Sequence, residues 1–171
     1  QALEFGLVDE IQPLLAAPNN SSLVILAIPV DAAVKLLPEL LNRISDSTVV
    51  IDMGSPKLSI CQAVQDHSNR KNFVASHPMA GTEYNGPKAA RADLFDQKTA
   101  IICNGEESAD FAVELASRLY DALNMKVIRM SAKEHDLHIA YVSHLSHITS
   151  FVLGQTVLEK EKEVEHIFNM A

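Results

Sequence analysis

The stretch LVILAI at residues 23–28 decides the fold, because it is apolar at every position and is closed by Pro29. Four further short apolar runs follow it, at residues 49–51, 73–75, 99–103 and 126–130. A run without alternating polar positions suits a strand that is covered on both faces, as in a parallel sheet. The five runs therefore predict five buried strands.

Helical patterns lie between these runs. A helix that Asp31 can cap follows the first run, and Pro38 predicts a break or a kink within it. A second helix begins at Ser108 and carries an apolar stripe that includes Phe111. The alternation of strands and helices predicts a doubly wound α/β sheet.

The pattern changes from Ala132 onward, where one long helical stretch is followed by no further strand. We interpret residues 1–130 as a partial parallel sheet of the Rossmann type, and residues 131–171 as the start of an all-helical second domain. The first residues, with Leu3 and Leu7 at helical spacing, predict a helix. No GxGxxG motif occurs, so we expect the glycine-rich turn that binds a dinucleotide to lie before residue 1.

Composition narrows the class of partner. The formal net charge of −8 argues against nucleic acids and anionic membranes, whose phosphates would be repelled. No apolar run approaches the roughly 20 residues that cross a bilayer, and the first residues do not resemble a signal peptide. Cys61 and Cys103 are far apart and predict buried free thiols in a reducing, cytoplasmic compartment.

The motif SHPMAGTE at residues 76–83 carries the strongest chemical signal. His77 follows the third apolar run, where open α/β sheets place ligand-binding residues. Pro78 disfavours helix at His77, and Gly81 permits a backbone to approach a ligand closely. Thr82 and Glu83 add a hydroxyl and a carboxylate. A polar residue at an ordinary strand end is the alternative for an isolated His-Pro pair.

Two further segments accompany this motif. Ser55, in DMGSPK at residues 52–57, follows the preceding strand, so it can converge with His77 at one edge of the sheet. SHLSH at residues 143–147 places His144 and His147 on one helix face. Histidines 135 and 138 share that spacing, but the ligand pattern of known zinc sites is absent, so we expect no metal.

SHPMAGTEYNG, DMGSPK, LAIPVD and HDLHIAYVSHLSH together, in this order, resemble the prephenate dehydrogenase family over essentially the whole chain. The resemblance implies oxidation of prephenate, or of arogenate, by NAD⁺ (NADP⁺ being possible), with loss of CO₂ to give 4-hydroxyphenylpyruvate in tyrosine biosynthesis. It also implies a homodimer in the full-length enzyme.

The resemblance assigns roles residue by residue. His77 matches the catalytic histidine, and Ser55 matches a serine that hydrogen-bonds near it and the nicotinamide. His147 matches a substrate-positioning histidine, with His144 beside it. Gly81, Thr82 and Glu83 match the substrate pocket, and Ile28 and Pro29 match the cofactor edge. We expect the groups at 77, 55 and 147 to surround one cavity.

Two other interpretations stay open. Another Rossmann dehydrogenase of the β-hydroxyacid type, or a relative of pyrroline-carboxylate reductase, shares this architecture but not HPMAGTE together with SHLSH. A non-catalytic binding or assembly module derived from a dehydrogenase is the second. The family's arginine for the substrate carboxylate is expected beyond residue 171, so we expect residues 1–171 alone to show little or no activity.

Overall fold

The structure is a computed structural model that describes residues 1–14, 16, 21–81 and 86–160, with the backbone alone at 143–147 and 157–160. The five predicted strands are present, and each lies on one of the apolar runs. Their bounds are β1 Leu23–Leu26, β2 Val49–Asp52, β3 Phe73–Met79, β4 Thr99–Cys103 and β5 Lys126–Met130.

The strands form one sheet in the order β1-β2-β3-β4-β5. β1, β2 and β3 are parallel to one another, and so are β4 and β5, but β4 runs antiparallel to β3. The expected parallel sheet is therefore confirmed except at this one pairing. A parallel connection needs a crossover that is usually helical, whereas the described part of the link between β3 and β4 holds only the short 3₁₀ turn Pro87–Ala89.

Helices cover both faces of the sheet, which confirms the doubly wound α/β class. α1 (Val30–Leu41) and α2 (Leu58–Ala63) cover one face, and α3 (Asp110–Ala122) covers the other. The front core is the cluster of Leu26, Ala33, Leu37, Leu40, Leu41, Val50, Ile60, Cys61, Val64, Phe73, Ala75, Ile101, Cys103 and Ala132. The back core is the cluster of Val49, Ile51, Val74, Ala100, Ile102, Ala112, Ala116, Tyr120 and Met125. Both thiols are free and buried, as predicted.

The structure contradicts a break at Pro38, the capping role of Asp31 and the place of Phe111 on a buried stripe, while a kink at Pro38 stays a prediction. α1 runs without a break through Pro38, and Asp31 lies in its first turn while Pro29 occupies the N-cap. The side chain of Phe111 is 43% exposed. α3 instead buries Ala112 and Ala116, because small side chains let a helix lie close to a sheet.

The predicted helix at the beginning of the chain is also wrong. The backbone N–H of Leu7 donates to the carbonyl of Ala2 at 3.0 Å, and a single turn ends at Gly6, whose φ is 64°. Leu3 and Leu7 are 47% and 52% exposed. Without tertiary packing of its apolar side chains, so short a helix is not stable.

Helical structure follows β5, as predicted from Ala132 onward. α4 (Ala132–Ile139) leads into a π-helical segment (Ala140–Leu145) and then α5 (Ser146–Lys160). The chain divides into two compact units, Gln1–His135 and Asp136–Ala171. No helix in the described part of the chain is both long enough and apolar enough to pass through a bilayer.

Candidate active site

The carboxyl ends of three parallel strands bring the predicted site residues to one edge of the sheet. Leu26 pairs with Asp52, and Asp52 pairs with Ala75, so β1 and β2 end level with Ala75, while β3 continues beyond them to Met79. Ile28 and Pro29 follow β1, and Ser55 follows β2. Ile28 and Pro29 are exposed there, while Ser55 is half-buried. The register therefore places these residues on the same edge as the end of β3.

His77 lies inside β3 and not in a loop after it, so the predicted strand end is wrong. β3 extends to Met79, and His77 pairs with Ile101 of β4. The histidine and Pro78 take part in the sheet because β4 supplies a partner strand that the sequence pattern did not reveal. Side chains alternate along a strand, and Ala75 lies in the front core, so His77 projects to that same face.

The imidazole of His77 meets a second imidazole. Its Nδ1 lies 2.9 Å from Nε2 of His135, which is a hydrogen bond. The two rings meet edge to face, with centroids 5.1 Å apart and an angle of 73° between their planes. His77 is half-buried and His135 is fully buried at 0% exposure. This contact joins residues 58 positions apart within the first compact unit.

The first turn of α4 holds His135 in place. Ser131 and Glu134 form a capping box: the backbone N–H and the hydroxyl of Ser131 donate to Glu134 Oε2 at 3.0 and 2.7 Å. The N–H of Glu134 donates back to Ser131 Oγ at 3.2 Å. The N–H of Ala132 donates to Asn104 Oδ1 at 2.7 Å, which ties this turn to the end of β4. Ala132 itself is buried in the front core.

A buried ion pair spans the turn that carries Ser55. The ammonium of Lys57 donates to Asp52 Oδ2 and, at 2.7 Å, to the carbonyl of Ser76. The two side chains of the pair are 0% and 1% exposed. The Asp52 carboxylate also accepts the backbone N–H groups of Ser76 and Gly54, each at 3.1 Å. The turn after β2 is thus bonded to the residue that precedes His77.

The surroundings of this ion pair act on the pKa of the Asp52 carboxyl in opposite directions. Burial raises the pKa of the Asp52 carboxyl above its usual range, while the Lys57 ammonium and the two backbone N–H groups oppose the rise. Charge-assisted hydrogen bonds of this kind are among the strongest in proteins. The pair therefore offsets much of the desolvation that each ion would otherwise suffer.

Ser76 is held from the back of the sheet as well. Its hydroxyl donates to the carbonyl of Asp52 at 2.8 Å and shares a short hydrogen bond with the hydroxyl of Tyr120. Burial raises the pKa of Tyr120 to about 12, against the lowering effect of its bond to Ser76. Tyr120 therefore stays a neutral phenol and anchors β3 to α3.

Gly54 lets the turn after β2 lie against the start of α1. A Cβ at this position would lie 2.5 Å from Cγ2 of Val30, closer than atoms can approach. Gly81 differs, since a Cβ there would meet nothing within 4 Å. The structure thus gives a packing reason for glycine at position 54 and none, among the described residues, at position 81.

Several predicted site residues fall outside what the structure describes. Thr82 and Glu83 are not among the described residues, and the side chains of His144 and His147 are not described either. The expectation that groups 77, 55 and 147 share a cavity therefore stays a prediction. Among the described residues, no group of three or more His, Cys, Asp or Glu side chains is arranged to hold a metal ion.

The structure adds His135, Asp52 and Lys57 to the residues that the sequence pointed to. Helical spacing relates His135 to His138, and nothing in the sequence relates it to His77. Lys57 follows Pro56 in a polar turn, which is typical of a solvated lysine. The signal that could have found the ion pair is the burial of Asp52 at the end of an apolar strand, since a buried carboxylate requires a partner.

A groove lies elsewhere on the first unit, after the ends of β4 and β5. Its volume is about 810 Å³, and its lining includes Glu106, Asp110, Glu114 and Arg129. Because β4 runs antiparallel to β3, its carboxyl end lies beside the amino-terminal half of β3. The groove is therefore separate from the edge where Ile28 and Ser55 lie.

A doubly wound sheet with polar groups at the carboxyl edge of its parallel strands defines the class of Rossmann-type nucleotide-binding domains. Comparison with protein families narrows this class. Residues 1–129 match the family of the prephenate dehydrogenase nucleotide-binding domain, and residues 131–171 match the prephenate dehydrogenase dimerization domain. The chain belongs to the prephenate dehydrogenase family, as its motifs predicted.

Individual relatives agree with this assignment. The chain is 31% identical over 165 residues to the cyclohexadienyl dehydrogenase of Zymomonas mobilis, covering 95% of this chain and 55% of the relative. It is 32% identical over 152 residues to the prephenate dehydrogenase of Bacillus subtilis, covering 87% and 41%. The chain thus spans about half the length of the curated relatives that it matches.

A solved structure gives the same answer. The prephenate dehydrogenase of Aquifex aeolicus, in complex with hydroxyphenyl propionate and NAD⁺, superposes with a TM-score of 0.77 at 27% identity. The superposition covers 92% of this chain and 56% of that enzyme. Family membership therefore rests on both sequence and fold.

Proposed function

We propose that the protein containing these residues is an oxidoreductase that converts prephenate to 4-hydroxyphenylpyruvate and CO₂ with NAD⁺ as the hydride acceptor. The observation that carries the proposal is the half-buried imidazole of His77 on β3, whose Nδ1 is hydrogen-bonded with Nε2 of His135. This histidine lies at the position that the family motif assigns to the catalytic base. The names of the relatives support the reaction class.

The residues at the carboxyl edge fit a nicotinamide cofactor. Ile28 is 38% exposed at the end of β1 and offers apolar surface to an aromatic ring. Ser55, half-buried at the end of β2, offers a hydroxyl that can hydrogen-bond near the ring's carboxamide. Gly54 keeps this turn close to the start of α1, because a Cβ there would meet Val30 Cγ2 at 2.5 Å. We assign Ile28, Pro29 and Ser55 to the cofactor side on these grounds.

The chemistry needs one base and a correctly placed substrate. The bound cofactor would supply the oxidant that accepts a hydride from the ring carbon bearing the hydroxyl. His77 accepts the proton of that hydroxyl as the carbon–oxygen bond becomes a carbonyl. Cleavage of the ring carboxylate as CO₂ then returns the electron pair to the ring, and His77 gives the proton back to the new phenolic oxygen.

The substrate contacts complete the proposal. We assign His147, His144, Gly81, Thr82 and Glu83 to the substrate pocket because they match the family motifs. We also propose that the region matching the dimerization domain pairs two copies of the full-length protein. The choice of NAD⁺ follows the cofactor in the Aquifex aeolicus complex.

The test uses the gene product that contains these 171 residues. Production of reduced nicotinamide is measured with prephenate, with arogenate and with a panel of β-hydroxy acids, each with NAD⁺ and with NADP⁺. We expect turnover with prephenate and NAD⁺, and a loss of about 10²–10⁴-fold in kcat for His77→Asn, the usual contribution of a general base. Preference for a β-hydroxy acid, or unchanged kcat in the variant, would refute the proposal.

A matched control is His67→Asn. His67 is a hydrogen-bonded histidine whose Nε2 lies 3.1 Å from Asn42 Oδ1. It precedes β3, at the end of that strand opposite to Met79. We expect this variant to keep the kcat of the unmodified enzyme.

A further inference from the structure

His135 is a buried histidine whose ring is hydrogen-bonded with His77, the proposed base. Between Nδ1 of His77 and Nε2 of His135, at 2.9 Å, there is room for one proton. If His135 donates, Nδ1 of His77 accepts and the proton of a neutral His77 ring resides on Nε2. If His77 donates, its Nε2 carries a lone pair and can accept a proton. The direction of this hydrogen bond therefore decides whether His77 can act as a base.

We infer that His135 is a positioning residue that accepts a hydrogen bond from the Nδ1–H of His77. This bond fixes the His77 tautomer in which Nε2 is unprotonated and faces the substrate hydroxyl as an acceptor. This inference rests on the proposed function, because a base must present an unprotonated nitrogen. When Nε2 takes the proton, His77 becomes an imidazolium whose Nδ1–H strengthens its bond to His135.

The fold explains how a residue after β5 reaches β3. Met130 of β5 pairs with Cys103 of β4, and Cys103 pairs with Ala75 of β3. The chain thus leaves the sheet level with Ala75, two residues before His77. Ala132 then packs into the front core, on the face to which His77 projects. Because β4 and β5 run antiparallel to β3, this exit lies level with Ala75 and not beyond Met79.

The side chain of His135 is also rigidly held and fully buried. Asn104 and the Ser131–Glu134 capping box fix the first turn of α4, and His135 is 0% exposed. An imidazole that is locked in this way orients its neighbour better than a mobile side chain would. A neutral acceptor also orients the base without placing a buried negative charge beside it, in contrast to a carboxylate partner.

The test begins with the ring nitrogens of the ¹⁵N-histidine-labelled gene product, observed by NMR without substrate. His77 is assigned from the loss of its signals in His77→Asn. We expect the neutral His77 ring to carry its proton on Nδ1. In His135→Leu, which removes the acceptor at similar bulk, we expect its proton to move to Nε2. In His135→Gln, whose side-chain oxygen can accept near the place of Nε2, we expect the Nδ1–H tautomer to persist.

Kinetics of the gene product supply the second measurement. We expect His135→Leu to lower kcat by about 10–100-fold with little change in KM, and His135→Gln to recover most of the loss. His67→Leu, a hydrogen-bonded histidine removed at the other end of β3, serves as the control and should leave kcat and the His77 signals unchanged. A merely structural role for His135 would lower stability without moving the His77 tautomer.

The outcomes separate the inference from the proposed function. An Nε2–H tautomer of His77 in the unmodified protein overturns the inference even if prephenate is oxidised. Unchanged His77 signals in His135→Leu do the same. A protein that shows the expected tautomers but does not oxidise prephenate refutes the function and leaves the pairing intact. If His135→Leu does not fold, the Gln variant decides: loss of the Nδ1–H tautomer there counts against the inference.

Discussion

Replacement of Lys57 by methionine removes a cation from a place that water does not reach. The ammonium is 0% exposed and donates to Asp52 Oδ2 and to the carbonyl of Ser76. Methionine fills a similar volume with an apolar chain, so the substitution deletes the charge with little change in packing. Asp52 then retains only the N–H groups of Ser76 and Gly54 among the hydrogen bonds described above.

The magnitude follows from the burial of both partners. Removal of one member of a buried ion pair destabilises a protein by about 3–5 kcal/mol, because the other charge is left uncompensated. For a chain of this size, about 1 kcal/mol shifts Tm by roughly 2–4 °C. We therefore expect Lys57→Met to lower Tm by roughly 6–20 °C near neutral pH.

The loss should depend on pH with a definite sign. Burial already raises the pKa of Asp52 from its model-peptide value of 3.8, and removal of the ammonium takes away the largest opposing effect. A folded-state pKa above the unfolded value means that the folded variant binds more protons, so its stability falls as pH rises through the folded pKa. Lys57→Met should thus be least destabilised near pH 4 and most destabilised at pH 7–8.

Urea unfolding followed by circular dichroism, at several pH values, measures both effects. The double variant Asp52→Asn/Lys57→Met should recover a large part of the loss, since it removes the stranded charge. Lys35→Met, an exposed lysine on α1, is the control and should change stability by no more than about 0.5 kcal/mol. Equal stability of Lys57→Met and the unmodified protein, or a loss that does not vary between pH 4 and pH 8, would refute the reasoning.

Two further predictions concern packing and reactivity. Gly54→Ala should lower the free energy of unfolding by about 1–3 kcal/mol, because the new Cβ would lie 2.5 Å from Val30 Cγ2. Thermal unfolding measures this loss, with Gly105→Ala as the control, since the nearest side-chain atom there is 3.7 Å away. A loss in Gly54→Ala no larger than in the control would contradict the prediction. Burial raises the pKa of the Cys61 thiol to about 11. Disulfide reagents at neutral pH should therefore label this thiol only as fast as the protein opens. Labelling at the rate of a cysteine in a short peptide would disprove this prediction.

The strands could be predicted because burial on both faces leaves a direct record in the sequence. Each of the five apolar runs, such as LVILAI at residues 23–28, overlaps a strand of the sheet. Their relative directions leave no such record. The antiparallel β4 and the extension of β3 through Pro78 both depend on a partner strand more than twenty positions away, so no local pattern indicated them.

The candidate site was predicted where its residues belong to continuous motifs. His77 and Ser55 stand in such motifs, whereas His135 acquires its meaning from a ring 58 positions away. Helical spacing grouped His135 with His138, which is exposed. The sequence did not indicate that Lys57 is buried, because a lysine that follows a proline in a turn is ordinarily solvated. Only the fold encloses it.

Ser76 uses all of its polar groups on partners from β2, from the turn that follows β2, and from α3. Its N–H and hydroxyl bond to Asp52, its carbonyl accepts from Lys57, and its hydroxyl also meets Tyr120. The peptide unit that leads into His77 is thereby fastened from the front and the back of the sheet at once. Because the backbone that leads into His77 is held in this way, we expect adjustment to a ligand to fall on residues outside β3.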